Sequence, residues 1–192
     1  MRPVVYHISI TTDGMYAEPD GSLGPFNPSD EVHRYSNAIM EEAGDAVMGR
    51  VMYGIMGYWD EVDVDDPAVP AVEREFATFW RATPKHVVSR GDPELRANAT
   101  KLEGDVVETV RRMREGDGPP IMLGGGAELL ATMAKADLID EYRLLIVPTA
   151  LGDGKRLFAA LDAPLQLDLT RSHTFDSGTV LVEYRPIRGG DR

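Results

Sequence analysis

The stretch Pro120–Leu130 (PIMLGGGAELL) assembles the residue types that bind anions. An apolar run of strand character meets Gly124, Gly125 and Gly126, and a helical pattern then places Leu129, Leu130 and Met133 on one face. First-turn N–H groups of a helix have no partner inside it, and the helix dipole favours negative charge there. Glycines let a diphosphate approach the main chain with no Cβ in the way. This spacing suits a nucleotide or a phosphorylated ligand. A tight strand-to-helix turn without a ligand uses the same residues. Two cationic turns stand in comparable places, Gly49-Arg50 and Ser89-Arg90, each directly after an apolar run. The carboxyl ends of strands are where open α/β sheets bind ligands, and a guanidinium fork matches phosphate oxygens. Two carboxylates complete the set. Asp13 precedes Gly14 and also suits a turn; Asp30 opens a helix, where it also stabilises the dipole.

Composition narrows the chemistry further. A net charge of −12 argues against a broad nucleic-acid surface, which needs clustered Lys and Arg. The absence of cysteine excludes disulfides, thiolate catalysis and Cys-ligated zinc. His7, His33, His86 and His173 lie far apart, so no metal is expected. No apolar run reaches the roughly 18 residues of a membrane span, and no signal-peptide layout precedes the first strand; a cytoplasmic protein is expected. The glycine run is not a Rossmann fingerprint, because Leu129 stands where the third glycine belongs. Gly152-Asp-Gly-Lys155 is not a Walker motif, because Arg156 replaces the required Ser or Thr. A zinc-deaminase motif and a G-x-S-x-G elbow are both absent.

The elements that must position these residues can be read along the chain. Residues 4–10 (VVYHISI) form a strand bounded by Asp13-Gly14. Residues 29–43 form a helix with Ser29 as N-cap and Val32, Tyr35, Ile39, Met40 and Ala43 on one face, ended by Gly44. A short strand at 45–48 leads into Gly49-Arg50. Residues 57–70 are acidic and proline-punctuated, hence a loop, with Tyr58 and Trp59 covering the core. A helix follows at 71–81 with Val72, Phe76, Phe79 and Trp80 inward, then a strand at 85–89. Asp105 caps another helix, with Glu108 in a capping-box pattern. Residues 142–147 make a strand of the kind buried on both faces. Residues 166–173 and 179–185 pair as a hairpin across Asp176-Ser177-Gly178. Strands alternating with helices, then a hairpin, indicate an α/β sheet covered on both sides, in one domain spanning 1–188.

Six short segments in fixed order carry a family resemblance. They are Ser9-Ile-Thr-Thr-Asp13-Gly14, Val47-Met-Gly49-Arg50-Val-Met-Tyr53, His86-Val-Val-Ser89-Arg90, Leu123-Gly-Gly-Gly126, Ala136-Asp-Leu-Ile-Asp140-Glu141 and Pro148-Thr-Ala-Leu-Gly152-Asp-Gly154-Lys-Arg-Leu-Phe158. Across residues 4–185 this order resembles the dihydrofolate reductase-like superfamily, in the branch of the riboflavin-biosynthesis reductase domain. The resemblance implies a three-layer fold, its mostly parallel sheet ending in an antiparallel hairpin. It implies an oxidoreductase that binds NADPH and passes hydride to a small pterin- or pyrimidine-like heterocycle. Gly49 and Arg50 would meet the cofactor phosphates, Ser89 and Arg90 the ribose 2′-phosphate, and Gly124, Gly125 and Gly126 the diphosphate. Ser9 would line the nicotinamide side, with Asp13 and Asp30 as the catalytic carboxylates. A cis peptide between Gly124 and Gly125 is implied as well. Two positions depart from the pattern: Met52 stands where family members often carry Thr, and Ala127 where dihydrofolate reductases proper often carry a polar residue. Two further readings stay open, a stand-alone ribosylamino-pyrimidine reductase of riboflavin synthesis and a non-catalytic NADP(H)-binding dimer. The alternating Leu165, Leu167, Leu169, Val180 and Val182 of the hairpin, with the family's tendency to pair, imply a homodimer.

Overall fold

A computed structural model describes residues 1–188 of the chain. Its elements in order are β1 (Val4–Thr11), β2 (Met15–Ala17), α1 (Asp30–Glu42), β3 (Asp45–Gly49), α2 (Arg50–Met56), α3 (Tyr58–Glu61), α4 (Ala71–Ala82), β4 (Lys85–Val88), β5 (Ala99–Lys101), α5 (Val106–Met113), β6 (Ile121–Gly124), α6 (Ala127–Lys135), β7 (Glu141–Val147), β8 (Lys155–Arg156), β9 (Leu167–Thr174) and β10 (Val180–Pro186). The fold is α/β, with mostly parallel strands and a terminal antiparallel hairpin. The chain divides into two compact units. One comprises Met1–Arg2 and Pro28–Gly125; the other comprises Pro3–Asn27 and the chain from Gly126 onward.

The first unit holds a parallel sheet in the order β5-β4-β3-β6. Alternation along its strands sends Ala46 and Met48 of β3, Val87 of β4 and Met122 of β6 into one core. There they pack with Ile39 and Met40 of α1, Tyr53 of α2, and Phe76 and Trp80 of α4. Helix α1 starts where Ser29 Oγ accepts from the Val32 N–H, with Asp30 and Glu31 in the first turn where the dipole favours them. It stops one residue earlier than Gly44, at Ala43; the Gly44 N–H donates instead to Pro120 O at 2.9 Å. Asn37 ties α1 to α4 by donating to Val72 O at 2.9 Å and Glu75 Oε2 at 2.6 Å, and it also bonds His33 at 2.8 Å. Asp105 caps α5 by accepting from the Glu108 N–H at 3.0 Å, while the Glu108 carboxylate turns to Arg111.

Two charged groups anchor the start of this sheet. Lys85 is buried at the first position of β4, and its ammonium donates to Trp80 O at 2.6 Å and Thr83 O at 2.9 Å while lying 4.6 Å from the Trp80 ring centre. It thereby supplies donors to carbonyls at the C-terminal end of α4, which have no helical partner. Asp45, opening β3, pairs with Arg2 Nη2 at 2.6 Å and with His86 Nε2 at 2.8 Å. The acidic stretch 57–70 is not wholly a loop: it contains α3, and Trp59 packs 4.7 Å from Phe76 between ring centres, while Tyr58 is exposed.

In the second unit β1 and β7 run parallel, and β7, β10 and β9 follow antiparallel, with β9 at the outer edge. The hairpin closes as read from the sequence, with the Gly178 N–H donating to Phe175 O and the Phe175 N–H to Thr179 O, both at 2.9 Å. Helix α6 buries Leu129, Leu130 and Met133. Strands β2 and β8 form a separate two-stranded sheet.

Candidate functional site

In the first unit, three strands deliver three of the sequence-predicted turns to one edge. Strand β3 lies between β4 and β6, all parallel, with Gly49 in register with Val88 and Met48 with Gly124. Adjacent strands are roughly 4.8 Å apart. Gly49-Arg50, Ser89-Arg90 and Gly124-Gly125 therefore leave the carboxyl edge side by side, the place where parallel sheets take ligands. At Gly49 the chain turns at once into α2, so Arg50 is the first residue of a helix rather than of a loop. Arg50 and Arg90 are both exposed, and among the described residues neither pairs with a carboxylate.

Ser89 supplies the most direct sign of a missing partner. Its Oγ is buried and makes no hydrogen bond among the described residues. A buried hydroxyl left unpaired costs about 1–3 kcal/mol, and such orphans in native folds call for an explanation. A phosphate or ribose oxygen would relieve it, with Arg90 adjacent to balance charge. On this test the residues present fit a phosphorylated nucleotide.

The glycine run resolves into distinct roles. At Gly124 an added Cβ would meet Met48 and Met52 side chains at 3.5–3.9 Å, ordinary contact, so Met52 lies against this glycine as an apolar neighbour. No peptide bond among the described residues is cis, which corrects the expectation at Gly124–Gly125. The trans form is favoured by about 3–4 kcal/mol for a non-proline bond, and extended backbone on both sides carries the chain into α6 without the rarer isomer.

Gly126, in the second unit, is the N-cap of α6, with φ −80° and ψ −169° and no side-chain cap. Here a Cβ would fall 2.7 Å from Tyr16 Cζ and 3.1 Å from Tyr16 Cε2. Glycine is therefore required by the phenol ring laid over it. Gly126→Ala is expected to cost about 1–3 kcal/mol as an overpacking change, and Tyr16→Ala in the same chain should remove most of that loss. Urea unfolding of the single and double variants checks this; an undiminished loss in the double variant would contradict it.

Asp13 proves to be an anchor. Its carboxylate accepts from Thr11 Oγ1 at 2.5 Å, from the Gly152 N–H at 2.7 Å and from the Leu151 N–H at 3.2 Å. The Thr11 hydroxyl first, then the Gly152 N–H, hold its pKa down to about 2. An unfolded Asp titrates near about 3.9, so this contribution to stability is complete above that pH and is lost as pH falls toward about 2. An NMR titration should put the Asp13 midpoint near 2; a midpoint at the ordinary value would contradict the anchoring. Asp30 sits in the first turn of α1, largely exposed, 3.4 Å from Arg34 Nη2. Ser9 is half-buried in β1 opposite Leu145 of β7. Sequence reading missed Tyr16, Tyr53 and Arg96, which touch or brace these turns; each lies in a segment too short or too irregular to show a period.

Among the described residues, no cluster of His, Asp and Glu could hold a metal, and no helix is long and apolar enough to cross a membrane. Residues 2–181 match the RibD C-terminal domain family. The uncharacterized protein YyaP of Bacillus subtilis (strain 168) is 28% identical over 186 residues, covering 95% of this chain and 94% of its own length. The Thermotoga maritima diaminohydroxyphosphoribosylaminopyrimidine deaminase/5-amino-6-(5-phosphoribosylamino)uracil reductase superposes with a TM-score of 0.63 at 19% identity, covering 97% of this chain and 57% of that one. Dihydrofolate reductase from Enterococcus faecalis, complexed with NADP(H), gives a TM-score of 0.62 at 14% identity and covers 97% of both chains. The fold is that of the dihydrofolate reductase-like proteins.

Proposed function

The chain belongs to the RibD C-terminal domain family, and from that premise we propose that it is an NADPH-dependent reductase acting on a small pterin- or pyrimidine-like heterocycle. The observation that carries this reading is the Ser89 Oγ and the adjacent Arg90, both without a partner among the described residues, on the same sheet edge as Gly49-Arg50. Bound NADPH supplies the hydride. The chain's own residues bind and orient. Arg90 and Ser89 hold the ribose 2′-phosphate, by a charged fork and a hydroxyl. Arg50 neutralises a second phosphate, and Gly124, Gly125 and Gly126 give main-chain N–H groups to the diphosphate. Ser9 keeps the nicotinamide-side role that the family implies. Asp13 is ionised at neutral pH and fully engaged, so it orders its loop rather than donating a proton. Asp30, exposed on α1 with a 3.4 Å surface pair to Arg34, is the carboxylate assigned to hold the heterocycle.

NADPH consumption measured against a panel of pterins, pyrimidines and a phosphoribosylamino-pyrimidine tests the reading. Turnover of a heterocycle lacking the phosphoribosyl group supports it. Turnover of the phosphoribosylamino-pyrimidine alone would make the chain a stand-alone reductase of riboflavin synthesis. The contact of Met52 with Gly124 favours a second reading, a non-catalytic NADP(H)-binding protein, because a thioether replaces a hydroxyl that phosphate would use. NADPH binding without turnover of any panel member would select it.

The same reading includes a homodimer. Val180, Val182 and Tyr184 of β10 are half-buried on one face, opposite Thr174, Ser172 and Leu169 of β9, and Leu169 is 52% exposed. A second copy would cover this ribbon. Sedimentation at micromolar concentration should give twice the chain mass of 21.1 kDa; a single species at that mass would contradict it.

A further inference from the structure

The segment after β4 carries Ser89 and Arg90, and the helix after β3 carries Arg50. Strand pairing sets Gly49 and Val88 side by side, and contacts beyond the sheet hold the turns that follow. Arg96 bridges them. The Arg96 N–H donates to Tyr53 Oη at 2.7 Å, and Tyr53 lies one turn beyond Arg50 on α2. The Arg96 guanidinium crosses to the far end of α2 and on to α3, donating from Nη1 to Gly57 O at 3.0 Å and to Glu61 Oε1 at 2.9 Å. Its Nε lies 4.0 Å from Asp60 Oδ2, an oxygen that is buried and has no hydrogen bond among the described residues. A buried carboxylate oxygen without a hydrogen bond is costly unless a cation stands close, which holds Arg96 in place.

The fit is close on both sides. A Cβ at Gly57 would lie 2.7 Å from Arg96 Nε and 2.9 Å from Cζ, so glycine at this position is what admits the guanidinium. Tyr53 is itself buried, in the core with Trp80, so its hydroxyl is a rigid post. Two residues further, Asn98 adopts a left-handed φ of 58° and donates to Arg81 O at 3.2 Å and Ala82 O at 2.8 Å. The segment 89–95 is thus held by β4 at one end and by Arg96 and Asn98 at the other, while Arg90 and Gly91 between them are exposed.

We propose that Arg96 is a positioning residue for the dinucleotide site: it clamps the segment bearing Ser89 and Arg90 to the helix bearing Arg50 and so sets the selection of a 2′-phosphorylated over an unphosphorylated dinucleotide. This rests on the NADPH reading above. Arg96 touches no ligand in this account; it acts through the spacing of the two phosphate-reading turns.

The test compares Kd for NADPH and for NADH in the wild-type chain and in Arg96→Ala, Gly57→Ala and Tyr53→Phe. Gly57→Ala displaces the guanidinium while keeping its charge, and Tyr53→Phe removes one bond from the clamp and keeps the ring. The expected result is a fall in the NADPH-to-NADH preference of more than tenfold in Arg96→Ala. Smaller falls in the same direction are expected in the other two, with NADH affinity changed less than twofold. A residue that merely supports the fold would weaken both dinucleotides together and leave the preference unchanged; that outcome overturns the proposal. If Arg96→Ala does not fold, the same comparison in Tyr53→Phe decides. A wild-type chain with no preference for NADPH would instead defeat the cofactor reading, and the clamp's role in selection with it.

Discussion

Arg90→Ala is expected to weaken NADPH binding by about 1.5–3 kcal/mol, or about 10- to 150-fold, and to leave NADH binding almost unchanged. The expectation follows from where Arg90 stands. It leaves the carboxyl edge of a parallel sheet beside an orphaned Ser89 hydroxyl and, among the described residues, has no carboxylate partner to surrender. A cation already paired would have to break that pair before meeting phosphate, and the gain would shrink. On the proposed assignment the loss is confined to NADPH, because the 2′-phosphate is the group that would meet this strand end. Ser89→Ala should act in the same direction and by less, since it removes one hydrogen bond to the phosphate but no charge. Equal losses for both dinucleotides in calorimetry would refute the assignment of this pair to the 2′-phosphate.

Lys85→Ala is expected to destabilise the fold by about 3–5 kcal/mol. The ammonium is buried, and burial lowers its pKa, yet it is retained because Trp80 O and Thr83 O both accept from it. Removing it leaves two carbonyls near the end of α4 without that donor, at about 1–3 kcal/mol each if they stay dry. It also empties the space over the Trp80 ring. Lys85→Met keeps most of the packing of the stem and should lose less, so the gap between the two variants separates the cavity from the lost donors. Urea unfolding measures both. A loss under about 1 kcal/mol for Lys85→Ala would show that water reaches these carbonyls.

Much of this architecture is legible in the sequence because its signals are local. Ser29 and Asp105 announce α1 and α5, since a capping oxygen must sit directly before the first turn. The apolar face Val72, Phe76 and Trp80 announces α4 by its period. The strand, glycines and helix at 121–135 appear where expected, and so does the closing hairpin. What the sequence hides is of two kinds. Short elements carry too few residues for a period: β2, β5 and β8 have three, three and two. Helix α2 contains Gly54 and stops before Gly57, so propensity argues against it, and packing of Tyr53 overrides that preference. The other kind is side chains that contradict their type. A lysine reads as surface, and Lys85 is interior. Arg96 lies in an aperiodic polar segment whose contacts are 35 to 43 residues distant in sequence. The candidate site is legible in its placement: Gly49-Arg50, Ser89-Arg90 and the glycine run each lie at the end of a strand, and parallel register brings those strand ends together. The cis peptide, by contrast, rested on resemblance alone, and no local feature of Gly124-Gly125 required it.

The carboxyl edge of β3, β4 and β6 is proposed to serve a 2′-phosphorylated dinucleotide. Calorimetric titration of the wild-type chain with NADPH and, separately, with NADH tests it most directly. The account predicts saturable NADPH binding at least tenfold tighter than NADH, a difference of about 1.4 kcal/mol or more. Equal affinity for the two, or no heat of binding with NADPH, would contradict it.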